Sequence, residues 1–152
     1  MGPSMIERAQ SYHLKDLVKL AHEYYKLSPY KDIPFDSDAA LDFGRRQMVM
    51  ATSFFPVYTV GNSVEGFAIA YMIQLNFSRS LRVNLEYIYV REQYRSQGAA
   101  EQLVQAVESW ARQVGAIDLV TGDIGINPEL MKRWYAGQGY QYEGVCMTKR
   151  LN

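Results

Sequence analysis

The sequence predicts an α/β chain of the α+β type, with a mixed, mostly antiparallel central sheet of about seven strands and four helices. Three observations predict it. Residues 54–60, 66–77 and 82–90 are rich in Val, Ile, Tyr and Phe and are separated by Gly61-Asn62-Ser63 and Ser78-Arg79-Ser80, so they read as an antiparallel meander. Directly after them, Leu103, Val107, Trp110 and Val114 recur at helical spacing. Ahead of them, Leu14, Leu17, Val18, Ala21, Tyr24 and Tyr25 do the same.

In chain order, Met1 to Ser4 read as a cloning scar before a native start at Met5, leaving 5–152 as a single domain. Residues 5–9 suit an opening strand, and 13–27 a first helix. Pro29 and Pro34 punctuate a loop. Ser37 is expected to cap a second helix, with Asp38 in its first turn and Leu41 and Met48 facing inward. The meander follows, then a helix from Gly98 to about Val114, with Val104 and Ala111 beside its stripe and Gly115 as its stop. Residues 117–121 suit a short buried strand. Asn127 and Pro128 supply an N-cap and a first-turn proline for a helix carrying Leu130, Met131, Trp134 and Tyr135. Gly137 and Gly139 end it, and 140–144 and 145–151 suit a closing pair of strands. No repeat, low-complexity segment or linker interrupts the 152 residues.

Composition narrows the function classes. Apolar residues are 48% and charged residues 21%, as in an ordinary globular domain. Lys+Arg and Asp+Glu are 16 each; with no basic excess to neutralise phosphates, nucleic acid is not the expected partner. Cys146 is the single cysteine, which excludes an internal disulfide and a cysteine-built metal site. It is expected to be a small apolar residue of the sheet. His13 and His22 fall in a predicted surface helix with no ligand pattern around them, so no metal is expected. No run approaches the roughly 20 apolar residues of a membrane helix. With no signal peptide either, a cytoplasmic location is expected.

The chemistry concentrates where the third meander strand meets the long helix, at Tyr94-Arg95-Ser96-Gln97-Gly98-Ala99-Ala100. The first amides of a helix lack internal partners, and its dipole places partial positive charge there. Gly98, Ala99 and Ala100 permit close approach of a ligand to the backbone, and Arg95 adds a cation. Together they suit a pyrophosphate. The segment lacks the Gly-Lys-Ser/Thr of a nucleoside-triphosphate loop and the first two glycines of a dinucleotide fingerprint. A tight strand-to-helix turn with a solvated arginine is the plain alternative.

Arg95, Ser96, Gln97, Gly98, Ala99 and Ala100 resemble the Arg/Gln-x-x-Gly-x-Gly/Ala cofactor motif of the GCN5-related N-acetyltransferases (GNAT), with alanine as an allowed last residue. The likeness extends over nearly the whole chain, because its order of strands and helices is similar to that family's. It implies the GNAT fold, acetyl-CoA as cosubstrate, and acetyl transfer to a primary amine by direct attack. It also implies that the strand before the motif splays from its neighbour. Ile88, Tyr89 and Val90 would then offer main-chain groups to the pantetheine arm, with an amide near Val90 for the oxyanion.

A second likeness is Asn127, Tyr135 and Gly139-Tyr140, similar to the family's Asn, Tyr and Gly-Phe. Tyr135 stands four residues before Gly139, as in the family, whereas Asn127 stands eight before Tyr135, one more than is usual. The resemblance places Asn127 at the cofactor and makes Tyr135 the general acid for the leaving thiolate. Membership of the apolar core beside Trp134 is the other reading of Tyr135. For a base, Glu86 shares one face with Ile88 and Val90, and some relatives carry a glutamate there. Asp123 and ordered water are further candidates, and a structural Glu86 is equally open.

In the family the two N-terminal helices and their loop shape the acceptor pocket. Here that region holds Tyr25, Tyr30 and Asp32, with Tyr24, Phe35, Asp36 and Asp38. Aromatic faces and carboxylates suit a cationic amine, although core aromatics beside a solvated acidic loop have the same composition. The acceptor stays open among a small amine, an antibiotic, a peptide N-terminus and a protein lysine. So does the oligomeric state, homodimers being common in the family. A catalytically inactive GNAT-fold binding module, with or without coenzyme A, is the alternative to an enzyme.

Overall fold

The computed structural model describes residues 2–122, 127–144 and 146–151. β1 (Ser4–Arg8) leads through a 3-10 turn at Ser11–His13 into α1 (Leu14–Leu27) and α2 (Ser37–Val49). β2 (Ser53–Phe54), β3 (Pro56–Val60), β4 (Ser63–Gln74) and β5 (Leu81–Val90) follow. The one-turn α3 (Glu92–Arg95), α4 (Ala99–Gln113), β6 (Leu119–Thr121) and α5 (Pro128–Gly137) complete the order. The sheet runs β1-β3-β4-β5-β6, with β2 also on β4. Only β5 with β6 is parallel. This is the mixed, mostly antiparallel α+β architecture the sequence predicts.

Helices cover both faces. On the α1 and α2 side, Leu17, Leu20, Val57, Val64, Phe67 and Ile69 form one core. On the other, α4 presses Leu103, Val104, Val107, Trp110 and Ala111 onto Tyr58, Ala68, Ala70, Val83 and Leu85. The stripe read from helical spacing is therefore the packed face, each large aliphatic there contributing about 1.5–3 kcal/mol. Trp110 stacks on Phe54 at 5.3 Å, tying α4 to the short β2.

Several details differ from expectation. Ser4 belongs to the fold, pairing with Val60. The first strand of the meander is split at Phe55, whose carbonyl accepts the Ala9 amide instead of joining β4. Asp36, not Ser37, caps α2, accepting the Asp38 and Ala39 amides at 3.0 Å. His13 is buried, with Nδ1 accepting the Gln10 amide and Nε2 at 2.8 Å from Glu7. The sheet has six strands among the described residues, and α3 is an additional helix of one turn. Residues 141–144 and 146–151 make no strand, and Val145 lies outside the described residues. An alternating pattern becomes a strand only beside an edge long enough to pair with, and β6 offers three residues. Cys146 is consequently exposed rather than a sheet residue.

Candidate active site

β5 reaches the site through a bulge. Ile69 faces Tyr87 and Ala70 faces Leu85, so Glu86 has no partner on β4. The extra residue shifts the alternation by one. Val83 and Leu85 before it, and Ile88 and Val90 after it, all pack toward α4, whereas Tyr87 and Tyr89 pack toward α1. Glu86 therefore does not share a face with Ile88 and Val90, as regular alternation predicted. It is exposed and accepts Asn84 Nδ2 on Oε2 at 2.6 Å. It lies close enough to two phenols to act on them. Burial first, then Tyr87 and Glu86, push Tyr71 up to about 12; burial and then Glu86 raise Tyr87.

The pairing of β5 with β6 runs from Val83↔Leu119 to Leu85↔Thr121, so Ile88, Tyr89 and Val90 lie beyond that described ladder. At its last pair, Thr121 Oγ1 is 3.3 Å from the Leu85 carbonyl and 3.2 Å from the Tyr135 hydroxyl. Tyr135 is buried, with Trp134 and Tyr140 edge-on at 4.9 and 5.2 Å. Its ring is core, as one of the two sequence readings expects, and its hydroxyl reaches the end of the ladder.

At the other end of β5 the chain turns through α3 into α4. Gly98 is left-handed, with φ +79°, and no side chain caps the helix. A β-carbon there is strained, which is why glycine occupies the position where the first helical amides emerge. Ala99 is fully buried and Ala100 packs against the α4 core. Arg95 donates Nε to the Val90 carbonyl at 2.7 Å and sets its guanidinium 5.8 Å from the Tyr89 ring. Ser96 and Gln97 are exposed, Gln97 Nε2 donating back to the Gln93 carbonyl at 3.2 Å.

Two clasps hold α5 against α4. Trp134 Nε1 donates to Glu101 Oε1 at 3.2 Å, and the Tyr140 hydroxyl donates to Glu108 Oε2 at 2.8 Å. Gly139, at φ +93°, makes the turn that brings Tyr140 back. Asn127, expected at the cofactor, N-caps α5 by accepting the Leu130 amide at 3.3 Å. Glu101 Oε2 is buried without a hydrogen-bond partner among the described residues. The uncapped amides after Gly98, with Arg95 beside them, are the feature here that suits a phosphate-bearing ligand.

The acetyltransferase (GNAT) family model matches residues 14–140, most of the chain. The chain belongs to the GNAT family. Solved structures resemble it in fold. The aminoglycoside N-acetyltransferase AAC(6')-Iy with coenzyme A is 22% identical at a TM-score of 0.76, covering 100% of this chain and 97% of that one. The same enzyme with a bisubstrate analogue, CoA-S-monomethyl-acetylneamine, gives 21%, 0.79 and 99% of each chain. A Trypanosoma brucei acetyltransferase gives 13%, 0.79, and 98% and 100%. No curated protein matches by sequence.

In this GNAT chain the structure adds a network that no sequence spacing announced. Arg91, between β5 and α3, donates Nη2 to Glu23 Oε2 at 2.6 Å and Nη1 to buried Glu65 at 3.0 Å. The Tyr89 hydroxyl donates to Glu23 at 3.2 Å. Hydrogen bonding to Arg91 holds the Glu23 carboxyl below its usual range, and the two carboxylates raise Arg91. Residues 23, 65, 89 and 91 come from α1, β4, β5 and the turn after it. Only the folded sheet makes them neighbours.

The expected acceptor residues are partly committed elsewhere. Tyr25 donates its hydroxyl to the Ile33 carbonyl at 2.8 Å. Asp32 accepts two bonds from Arg150 at 3.2 Å, which hold its carboxyl below the usual range. The Arg150 guanidinium is also 5.8 Å from the exposed Tyr30 ring. A cavity of about 1470 Å³ borders Tyr30, Thr121, Tyr135 and Arg150 but none of residues 95–100, so it is separate from the α4 N-terminus. Asp123 lies outside the described residues. Among them there is no His/Cys/Asp/Glu group able to hold a metal, and no helix long and apolar enough to cross a membrane.

Proposed function

We propose that this chain is an acetyl-CoA-dependent N-acetyltransferase acting on a primary amine by direct attack. One observation carries the reading: β5 joins an uncapped left-handed helix start at Gly98 to a buried tyrosine hydroxyl at the Leu85–Thr121 pair. Leu85 to Val90 spans roughly 16 Å of strand, a length suited to an extended pantetheine arm between its pyrophosphate and its sulfur.

Acetyl-CoA supplies the acetyl thioester whose carbonyl the amine attacks. In this proposal the amides after Gly98 and the outward N–H groups of Arg95 hold the pyrophosphate. Ser96, Gln97, Ala99 and Ala100 line the same turn. Ile88, Tyr89 and Val90 present backbone to the arm, and an amide near Val90 meets the developing oxyanion. Tyr135 donates its hydroxyl proton to sulfur as the carbon–sulfur bond breaks. Glu86, next to Leu85 on the bulge, accepts the proton lost by the ammonium, directly or through water. Asn127 acts through α5, setting the height of Tyr135. Orientation supplies much of the rate, since it replaces a bimolecular encounter with a local one.

The deciding experiment is calorimetric titration with coenzyme A, followed by thiol release from acetyl-CoA across a panel of amines. Micromolar binding with turnover supports the proposal. No binding of coenzyme A overturns it, and binding without turnover on any amine leaves only the binding-module reading.

A further inference from the structure

The carboxylates around the acceptor side of β5 differ in what they already hold. Glu23 and Glu65 are both on Arg91. Asp32 is on Arg150. Asp36 caps α2, and Asp38 stands in that helix's first turn, where a negative charge complements the dipole. Glu86 has no cation within salt-bridge distance among the described residues. Its one hydrogen bond, from Asn84, falls on Oε2 and leaves Oε1 open.

The bulge also aims Glu86 at a group of phenols. Tyr71 and Tyr87 are half-buried and near enough to feel its charge, and Tyr30 acts on Tyr87 in turn. The Tyr87 ring is fixed by two perpendicular contacts, with Tyr24 of α1 at 5.9 Å and Phe43 of α2 at 6.0 Å. These are rigid aromatic surfaces, presented at little entropic cost. An ammonium beside them gains from the ring faces as well as from the carboxylate.

We infer that Glu86 is, among the described residues, the anionic anchor for the acceptor, so the acceptor is a monocationic amine with a flat or apolar body that packs against Tyr30, Tyr71 and Tyr87. A polycation is disfavoured by the same arrangement. Its second ammonium finds Glu23, Glu65 and Asp32 already paired with Arg91 and Arg150, and it shares their surroundings with those two guanidiniums. Specificity thus comes from repulsion as much as from attraction. This rests on the proposed acetyltransferase function for its reaction, but the binding preference is independent of turnover.

The test is direct binding of phenethylamine, spermidine and kanamycin by calorimetry, with the protein saturated in coenzyme A and again with the protein alone. Phenethylamine is expected to bind at least roughly tenfold more tightly than either polycation. Glu86→Gln should remove most of that binding while leaving the coenzyme A affinity and the melting temperature unchanged, and Tyr87→Leu should weaken it about threefold to tenfold. Equal or tighter binding of spermidine or kanamycin overturns the inference, as does an undiminished phenethylamine affinity in Glu86→Gln. Failure of coenzyme A to bind sinks the proposed function, while titration of the protein alone still decides this point. Phenethylamine bound supports the anchor whether or not any amine of the panel is acetylated, and absence of turnover on every amine sinks the proposed reaction.

Discussion

Between Val90 and Ala100 the site is built from main chain: an uncapped helix start, a left-handed glycine and a strand edge. Its side chains mostly brace that backbone, Arg95 through the Val90 carbonyl and Arg91 through Glu23 and Glu65. The acceptor side is the reverse. Glu86, Tyr71, Tyr87, Tyr30 and Tyr135 come from β5, β4, the α1–α2 loop and α5, and their side chains make up the proposed site. If the proposed roles hold, the contrast teaches that a cofactor turn can be encoded within a dozen contiguous residues, whereas an acceptor pocket depends on how separate elements are set against each other.

The sharpest way to break the contrast is Tyr135→Phe. If the hydroxyl protonates sulfur, kcat falls roughly 10²–10⁴-fold while the coenzyme A affinity measured by calorimetry is unchanged. An equal loss of both would mean that Tyr135 belongs to the cofactor half. Arg95→Glu is next, placing a negative charge where a pyrophosphate is expected. Coenzyme A affinity should fall at least about tenfold, with a much smaller shift in melting temperature.

Glu23→Gln probes the brace behind the backbone half. It should cost about 1–2 kcal/mol at neutral pH, the lower part of the range for charged hydrogen bonds because the pair is partly exposed. Glu23 has its carboxyl held below the ordinary value of 4.5 in the fold. The stability it adds is complete above that value and disappears as pH falls through the lowered one. Denaturant midpoints of variant and parent should therefore converge in acid. A constant gap down to strongly acidic pH would remove Glu23 ionisation from the account.

Trp134→Phe keeps an aromatic ring but trims the indole and deletes the bond to Glu101. A loss of about 1 kcal/mol and a several-fold fall in kcat would show that the clasp sets Tyr135. Unchanged kcat would make it purely structural. The smallest effect is expected from Arg150→Ala. Its partner Asp32 is exposed, and such pairs are screened, so the melting temperature should not move measurably. A large drop would mean that the carboxy-terminal segment is integral to the acceptor half.

Most of the fold was legible because it rests on local periodicity. The α4 stripe, the meander and the Asn127-Pro128 start of α5 each follow from residues a few positions apart. The motif from Arg95 to Ala100 was legible for the same reason. Two expectations failed where local pattern meets tertiary context. Regular alternation put Glu86 beside Ile88 and Val90, but one unpaired residue on β5 undid it, and nothing in the sequence of that strand marks a bulge. The closing strands expected over 140–144 and 145–151 found only a three-residue β6 to pair with.

By itself, then, the sequence determined the α+β class, the left-handed turn at Gly98 that starts α4, and the pairing of Tyr135 with Gly139-Tyr140, because each depends on backbone geometry that nearby residues impose. The tertiary structure alone decided which face Glu86 takes, that Arg91 bridges Glu23 and Glu65, and that Asp32 is held by Arg150. Those are outcomes of register and long-range packing, in which a shift of one residue exchanges the two faces of a strand.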